Sequence, residues 1–210
     1  MRAYYWSDIL PQTGVVAIFG KRGMGKTALA YYLAELGYNQ SQRQAVVYGP
    51  PLAIQRVLPS YFAVRTELMH LQSERGKTVI VDEGSMALHA RRSMSEDNLD
   101  FDRLMSLCRQ RSQLLIVCTH HSTKLDIEVV READVLAFKQ PSVMHMKMER
   151  RSIRDLVASA RYAFNQLPEG KRKRWAYCWW EEEDKKGFVY NPLPSFWSNE
   201  ISVAVGMLGS

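Results

Sequence analysis

The run Gly20-Lys21-Arg22-Gly23-Met24-Gly25-Lys26-Thr27 fits the pattern G-x-x-x-x-G-K-[ST] throughout. Each residue type has a chemical task. The glycines let the backbone turn its N–H groups inward around phosphate oxygens, at the positive end of a following helix. Lys26 brings an ammonium to the β- and γ-phosphates, and Thr27 offers a hydroxyl to Mg²⁺. Gly20 through Ala28 are therefore expected to hold Mg·ATP rather than to form an ordinary glycine-rich turn.

Val79-Ile80-Val81-Asp82-Glu83 is the second element. A carboxylate at the C-terminal end of a buried strand can hold Mg²⁺, which is the role expected of Asp82. The next carboxylate, Glu83, can polarise an attacking water as general base. Asp-Glu after a strand is weak by itself, since many strands leave into charged loops, but it gains force behind Gly20–Thr27. Kinases of small metabolites usually lack this glutamate, so the pair points to ATP hydrolysis.

Leu114–Cys118 runs into Thr119-His120-His121. If that strand lies beside the one leading to Gly20, Thr119 or His120 can sense the γ-phosphate; otherwise they are a polar strand exit. Ahead of it stand Arg109 and Arg111. Either can act as an arginine finger on a neighbouring subunit's nucleotide, or be a solvated cation favouring a helix C-terminus. Two further basic pairs or runs are candidates for DNA phosphates. Arg91 and Arg92 follow Asp82–Glu83, and Lys171-Arg172-Lys173-Arg174 lies between a predicted helix and hairpin; both also read as exposed loops.

These residues need a frame. Apolar runs alternating with helical patterns predict an α/β fold with a mainly parallel sheet. Predicted strands are Val15–Phe19, Ala45–Tyr48, Thr78–Val81, Leu114–Cys118, Val135–Phe138 and Val143–Met148. Helices are expected over Thr27–Leu36 with Gly37 as a stop, Ala63–Ser73, Leu99–Arg109, Asp126–Ala133 and Ile153–Leu167. Trp175, Tyr177 and Trp179 alternate, and Phe188–Tyr190 can pair with them as a hairpin. The expected division is a core over 1–140 and a C-terminal extension of strand, helix and aromatic hairpin over 141–210.

Bulk properties narrow the class. With 210 residues, 46% hydrophobic and 24% charged, the chain suits a single folded unit rather than a disordered one. A net charge of +6 fits a polyanionic partner. Cys108, Cys118 and Cys178 form no C-x-x-C pair, which argues against a disulfide framework or zinc knuckle. Met-Arg-Ala-Tyr-Tyr-Trp lacks the apolar run of a signal peptide, and no stretch approaches a transmembrane span, so a soluble protein of a reducing cytoplasm is expected.

Taken together, the glycine loop, the strand ending Asp82–Glu83 and the block Arg109–His120 resemble the FtsK/HerA superfamily of ring-forming DNA translocases. Arg109 falls on that family's arginine and Thr119 on its threonine; His120 stands where the family has glutamine. Leu125–Lys139 is similar to the family's closing stretch, in which a helix leads through Ala-Asp to a strand, and the resemblance spans Val15–Lys139. Within the superfamily the chain looks most like the small genome-packaging ATPases of tailless, membrane-containing double-stranded DNA viruses. The resemblance implies a RecA/ASCE-like P-loop NTPase that hydrolyses ATP with Mg²⁺ as a homo-oligomeric ring. It implies action on double-stranded DNA, in the host cytoplasm or at the virion, with capsid or membrane proteins of a portal vertex as candidate partners. Zot-like phage assembly proteins share this core, so an assembly or regulatory NTPase acting on protein partners without DNA is the alternative. A small-molecule kinase is a third.

Overall fold

Six consecutive buried residues make up β2 (Gly14–Phe19), and six more make up β6 (Leu114–Thr119). Strands buried on both faces read as unbroken apolar runs, because helices cover each side of a parallel sheet. The protein is described from a computed structural model covering residues 3–66, 73–82, 107–120, 127–143, 151–180 and 185–206. Its other parallel strands are β1 (Ala3–Tyr4), β3 (Ala45–Tyr48), β4 (Phe62–Arg65), β5 (Thr78–Asp82) and β7 (Val135–Phe138). The hairpin β8 (Trp175–Trp180) and β9 (Lys185–Tyr190) joins antiparallel to β7. The order is β1-β9-β8-β7-β2-β6-β5-β3-β4, so the C-terminal hairpin continues the same sheet.

Alternate residues of each strand feed two cores, as the two-residue period requires. Val16, Ile18, Ile80 and Ile116 meet Leu29, Leu33 and Ala34 of α2 (Lys26–Ser41) and Ile201 of the C-terminal helix Asn199–Gly206. Val15, Ala17, Val79, Val81 and Leu115 meet Ile153, Val157 and Ala160 of the helix Arg151–Asn165. Burying a side chain such as Ile18 is worth roughly 1.5–3 kcal/mol. The C-terminal segment is fastened to α2, because the Glu35 carboxylate accepts from Ser195 N at 3.0 Å and from the Ser195 hydroxyl. No helix among the described residues is long and apolar enough to cross a membrane.

Four expectations need correction. The helix predicted from Ala63 begins as strand β4, with Phe62 and Val64 buried and Ala63 and Arg65 only partly so. Four residues of alternation are too few to separate an edge strand from a helix start. Gly37 does not stop α2, which runs to Ser41 and ends at Gln42 in a left-handed conformation. A Cβ on Gly37 would stand 3.4 Å from Thr78 Oγ1, an ordinary contact distance where helix meets strand. Arg109 lies in a turn leading to β6, where Arg111 N donates to Leu107 O at 3.0 Å and Ser112 takes a positive φ of 54°. Val143, expected to open a strand, is helical instead, since so short an apolar alternation does not separate strand from helix. Residues 67–72, 99–106, 126 and 144–148 of the predicted elements lie outside the described residues. In turn β1, the short helix Trp6–Ile9 and helix Asn199–Gly206 have no counterpart among the predicted elements.

Candidate nucleotide site

The loop Gly20–Gly25 leaves the C-terminal end of β2 and enters α2, the strand–turn–helix context the motif requires. Gly20 has φ +150° and lies against β7, where a Cβ would come 2.6 Å from Lys139 Cβ. Gly25 is the N-cap of α2 with φ 82°. Both positions demand a residue without a side chain. The first turn of α2 carries no acidic residue, so its amide groups and dipole are open to an anion.

Sheet order then gathers the chemistry. β6 lies between β2 and β5, with Phe19 opposite Thr119 and Cys118 opposite Asp82. That brings Gly20, His120 and Asp82 to one sheet edge. Gly20 N donates to Thr119 O at 3.2 Å, while the Thr119 side chain is buried. The Lys26 ammonium, itself nearly buried, donates to Gly20 O at 2.9 Å and lies 2.7 Å from His120 Nδ1. An ammonium can only donate, so in this contact Nδ1 is the acceptor, and the same Nδ1 lies 3.2 Å from Gly20 O. Thr27 Oγ1 donates to Asp82 Oδ2 at 2.7 Å. A hydroxyl and a carboxylate at the loop's mouth suit Mg²⁺, which takes oxygen ligands and keeps waters and substrate phosphates as the rest. One turn along α2, the buried Tyr31 phenol is pushed far above its ordinary range by desolvation, with Asp82 and Cys118 adding to the shift.

The remaining predicted residues fall into three groups. Lys21, Arg22, Gly23 and Met24 form the turn between β2 and α2, with Met24 N donating to Lys21 O at 3.3 Å. Glu83, directly after β5, and Arg91 and Arg92 lie outside the described residues. Arg109 is at the opposite edge of the sheet, where β2 and β6 begin. Its guanidinium pairs with Asp134, whose other oxygen accepts from Val15 N at 2.8 Å. The length of β2, roughly 3.3 Å per residue, separates it from the glycine loop of its own chain. Arg111, half-buried in the same turn, has no hydrogen-bond partner for Nη1 among the described residues.

One participant escaped the sequence reading. Lys139 closes β7, is 1% exposed, and donates through Nζ to Lys173 O at 2.7 Å. Its only sequence signal is a lysine directly after the apolar run Val135–Phe138. Burial pushes its pKa down to about 7, against a counteracting effect of Cys178, with Arg174 lowering it further. The unfolded chain therefore binds more protons at this site between pH 7 and the ordinary lysine range, so the Lys139 contribution to folding stability rises with pH there. The raised thiols of Cys108 and Cys178 act in the opposite sense once the ordinary thiol range is reached. Denaturant unfolding between pH 7 and 9 should show this rise in the wild type and a flatter profile in Lys139→Met. Equal slopes would mean that Lys139 does not titrate there.

No protein-family model matches the chain, and no curated protein sequence matches it. Solved structures do. The DNA-packaging ATPase of Sulfolobus turreted icosahedral virus superposes with a TM-score of 0.60 at 13% identity, covering 86% of this chain and 98% of that one. The genome-packaging NTPase of Sulfolobus turreted icosahedral virus 2, in complex with ATP-gammaS, gives 0.61 at 14% identity, covering 88% and 100%. Thermomonospora curvata EccC, with a signal sequence peptide, gives 0.54 at 10% identity, covering 87% of this chain and 37% of that one. At such identities the likeness establishes the fold: an α/β sheet of the P-loop NTPase kind.

Proposed function

We propose that the chain is a Mg²⁺-dependent ATPase that moves double-stranded DNA, in the manner of a viral genome-packaging motor, as a homo-oligomeric ring. The observation that carries the ATPase reading is the convergence of Gly20–Thr27, Asp82 and His120 at one sheet edge, with Thr27 and Asp82 already hydrogen-bonded. The DNA step draws support from the fold shared with two viral packaging enzymes and from the net charge of +6.

Bound Mg²⁺ would neutralise developing phosphate charge, held by Thr27 and Asp82. Lys26 would exchange the Gly20 carbonyl and His120 Nδ1 for β- and γ-phosphate oxygens. His120, relieved of that ammonium, is then free to engage the γ-phosphate or the attacking water. Glu83 would take the water's proton, and Arg109 of an adjacent subunit would stabilise the departing charge. Such a protein would work in the host cytoplasm or on the virion, beside capsid or membrane proteins of a packaging vertex.

Duplex DNA should raise ATP turnover, and a motor that grips any sequence should bind through phosphates. Its log affinity should fall steeply with log salt. Replacing Arg91 and Arg92 together should flatten that slope by about 0.9 for every phosphate no longer neutralised. ATP turnover indifferent to DNA would favour an assembly or regulatory NTPase acting on protein partners. Phosphate transfer to a small acceptor would identify a kinase.

A further inference from the structure

The basic run Lys171–Arg174 does not hang in solvent away from the site. It forms part of the 3-10 turn Glu169–Arg174, which leads into β8. Because β8 is antiparallel to β7, this turn stands at the same sheet edge as the glycine loop. Two contacts seat it there. Lys139, whose N–H donates to Phe19 O at 2.7 Å and whose Cβ abuts Gly20, donates its buried ammonium to Lys173 O. The same Lys173 carbonyl lies 3.9 Å from the point a Cβ on Gly25 would occupy. Gly20 thus abuts Lys139, and Gly25 faces the Lys173 carbonyl across the space a side chain would fill. A buried amine, charged or neutral, is costly unless hydrogen-bonded, so the tether holds the turn in place.

The turn's cations are not consumed by its own structure. Arg172 is, since Nε donates to Leu167 O at 2.8 Å and Nη1 lies 3.8 Å from Glu169. Lys171, Lys173 and Arg174 are exposed and form no ion pair among the described residues. They lie on the β7 side of the loop, whereas Asp82 and His120 lie on the β6 side. The γ-phosphate chemistry belongs to the latter, so these cations flank the rest of the nucleotide.

We propose that the turn Lys171–Arg174 is a second wall of the nucleotide site, in the same chain, whose free cations bind the polyphosphate from the β7 side, and that Lys139 is the positioning residue that seats it. This rests on the Mg·ATP reading above. It also leaves Arg91 and Arg92 as the DNA contacts, although DNA phosphates offer the same chemistry.

The test uses the full chain and the exposed double variant Lys173→Ala/Arg174→Ala, titrated with Mg·ATP, with Mg·ADP and, over a salt series, with duplex DNA. Nucleotide affinity should weaken about tenfold, since two charge-assisted contacts are removed. The KM for ATP should rise with kcat unchanged, and the salt slope for DNA should stay at the wild-type value. Lys139→Met keeps the buried stem but removes the donor. It should raise KM similarly, and adding it to the double variant should bring little further loss, as expected of groups acting through one contact. Wild-type nucleotide affinity in Lys173→Ala/Arg174→Ala overturns the proposal. So does a loss confined to the DNA salt slope, which would turn the run toward DNA. A wild-type protein that binds no ATP overturns the Mg·ATP reading itself, and this inference with it.

Discussion

Mixing two inactive variants, Arg109→Ala and Glu83→Gln, should restore ATP hydrolysis. In a mixed ring some interfaces receive a working Glu83 from one subunit and a working Arg109 from its neighbour. An arginine finger can supply up to ~10³–10⁵-fold in rate, so Arg109→Ala alone should lose turnover strongly while a subunit still binds ATP. Glu83→Gln should lose roughly 10²-fold or more, because an amide cannot take the water's proton. The position of Arg109 sharpens the expectation. It stands at the edge where β2 and β6 begin, with the glycine loop at the other end of β2, so it is out of reach of its own nucleotide. A head-to-tail interface, which forms a ring where its rotation closes, would bring these two edges of neighbouring subunits together.

The rival account is structural, and its size is known. Arg109 is 70% exposed in its pair with Asp134, and such surface ion pairs contribute about 0–1 kcal/mol. Asp134 keeps its hydrogen bond from Val15 N without Arg109. A structural arginine therefore predicts a slightly less stable protein with normal turnover per folded molecule. Arg109→Ala itself separates the accounts, since only a finger predicts lost turnover per folded molecule; Asp134→Asn, which weakens the pair but leaves a finger available, should hydrolyse normally. Provided mixed oligomers form, an absence of recovery at every mixing ratio would rule out action between subunits.

Lys26→Ala should abolish tight ATP binding, by about 10²-fold or more, since Lys26 is the cation aimed into the loop and bonded to Gly20 O. The readout is ligand-induced stability. A wild type held at about a hundred times its Kd should gain about 2.7 kcal/mol against unfolding, and the variant should gain almost nothing. The substitution also leaves Gly20 O and His120 Nδ1 without the Lys26 ammonium, so apo stability is measured alongside. Undiminished ATP affinity would remove the basis of the nucleotide reading.

Local chemistry was legible in the residues themselves. Gly20–Thr27 between an apolar run and a helix former needs only backbone geometry within a few residues, and the strand, loop and helix stand where the pattern put them. The runs Ala45–Tyr48, Thr78–Val81, Leu114–Cys118 and Val135–Phe138 were legible for the same reason: a strand covered on both faces shows an apolar residue at nearly every position. The aromatic hairpin was legible from its alternation, with Tyr177 opposite Phe188.

What tertiary structure alone decided depends on pairings between distant segments, which no local period encodes. Edge strand β4 gains its identity from its pairing with β3, and α2 continues through Gly37 to Ser41 while packed on the sheet. The insertion of β6 between β2 and β5 puts His120 beside Lys26 and Cys118 beside Asp82. The pairing of β8 with β7 carries Lys171–Arg174 to the glycine loop, where a single bond from Lys139 holds it. The sequence by itself determined which groups are expected to serve a triphosphate; the order of strands in the sheet decided which of its cations stand beside them.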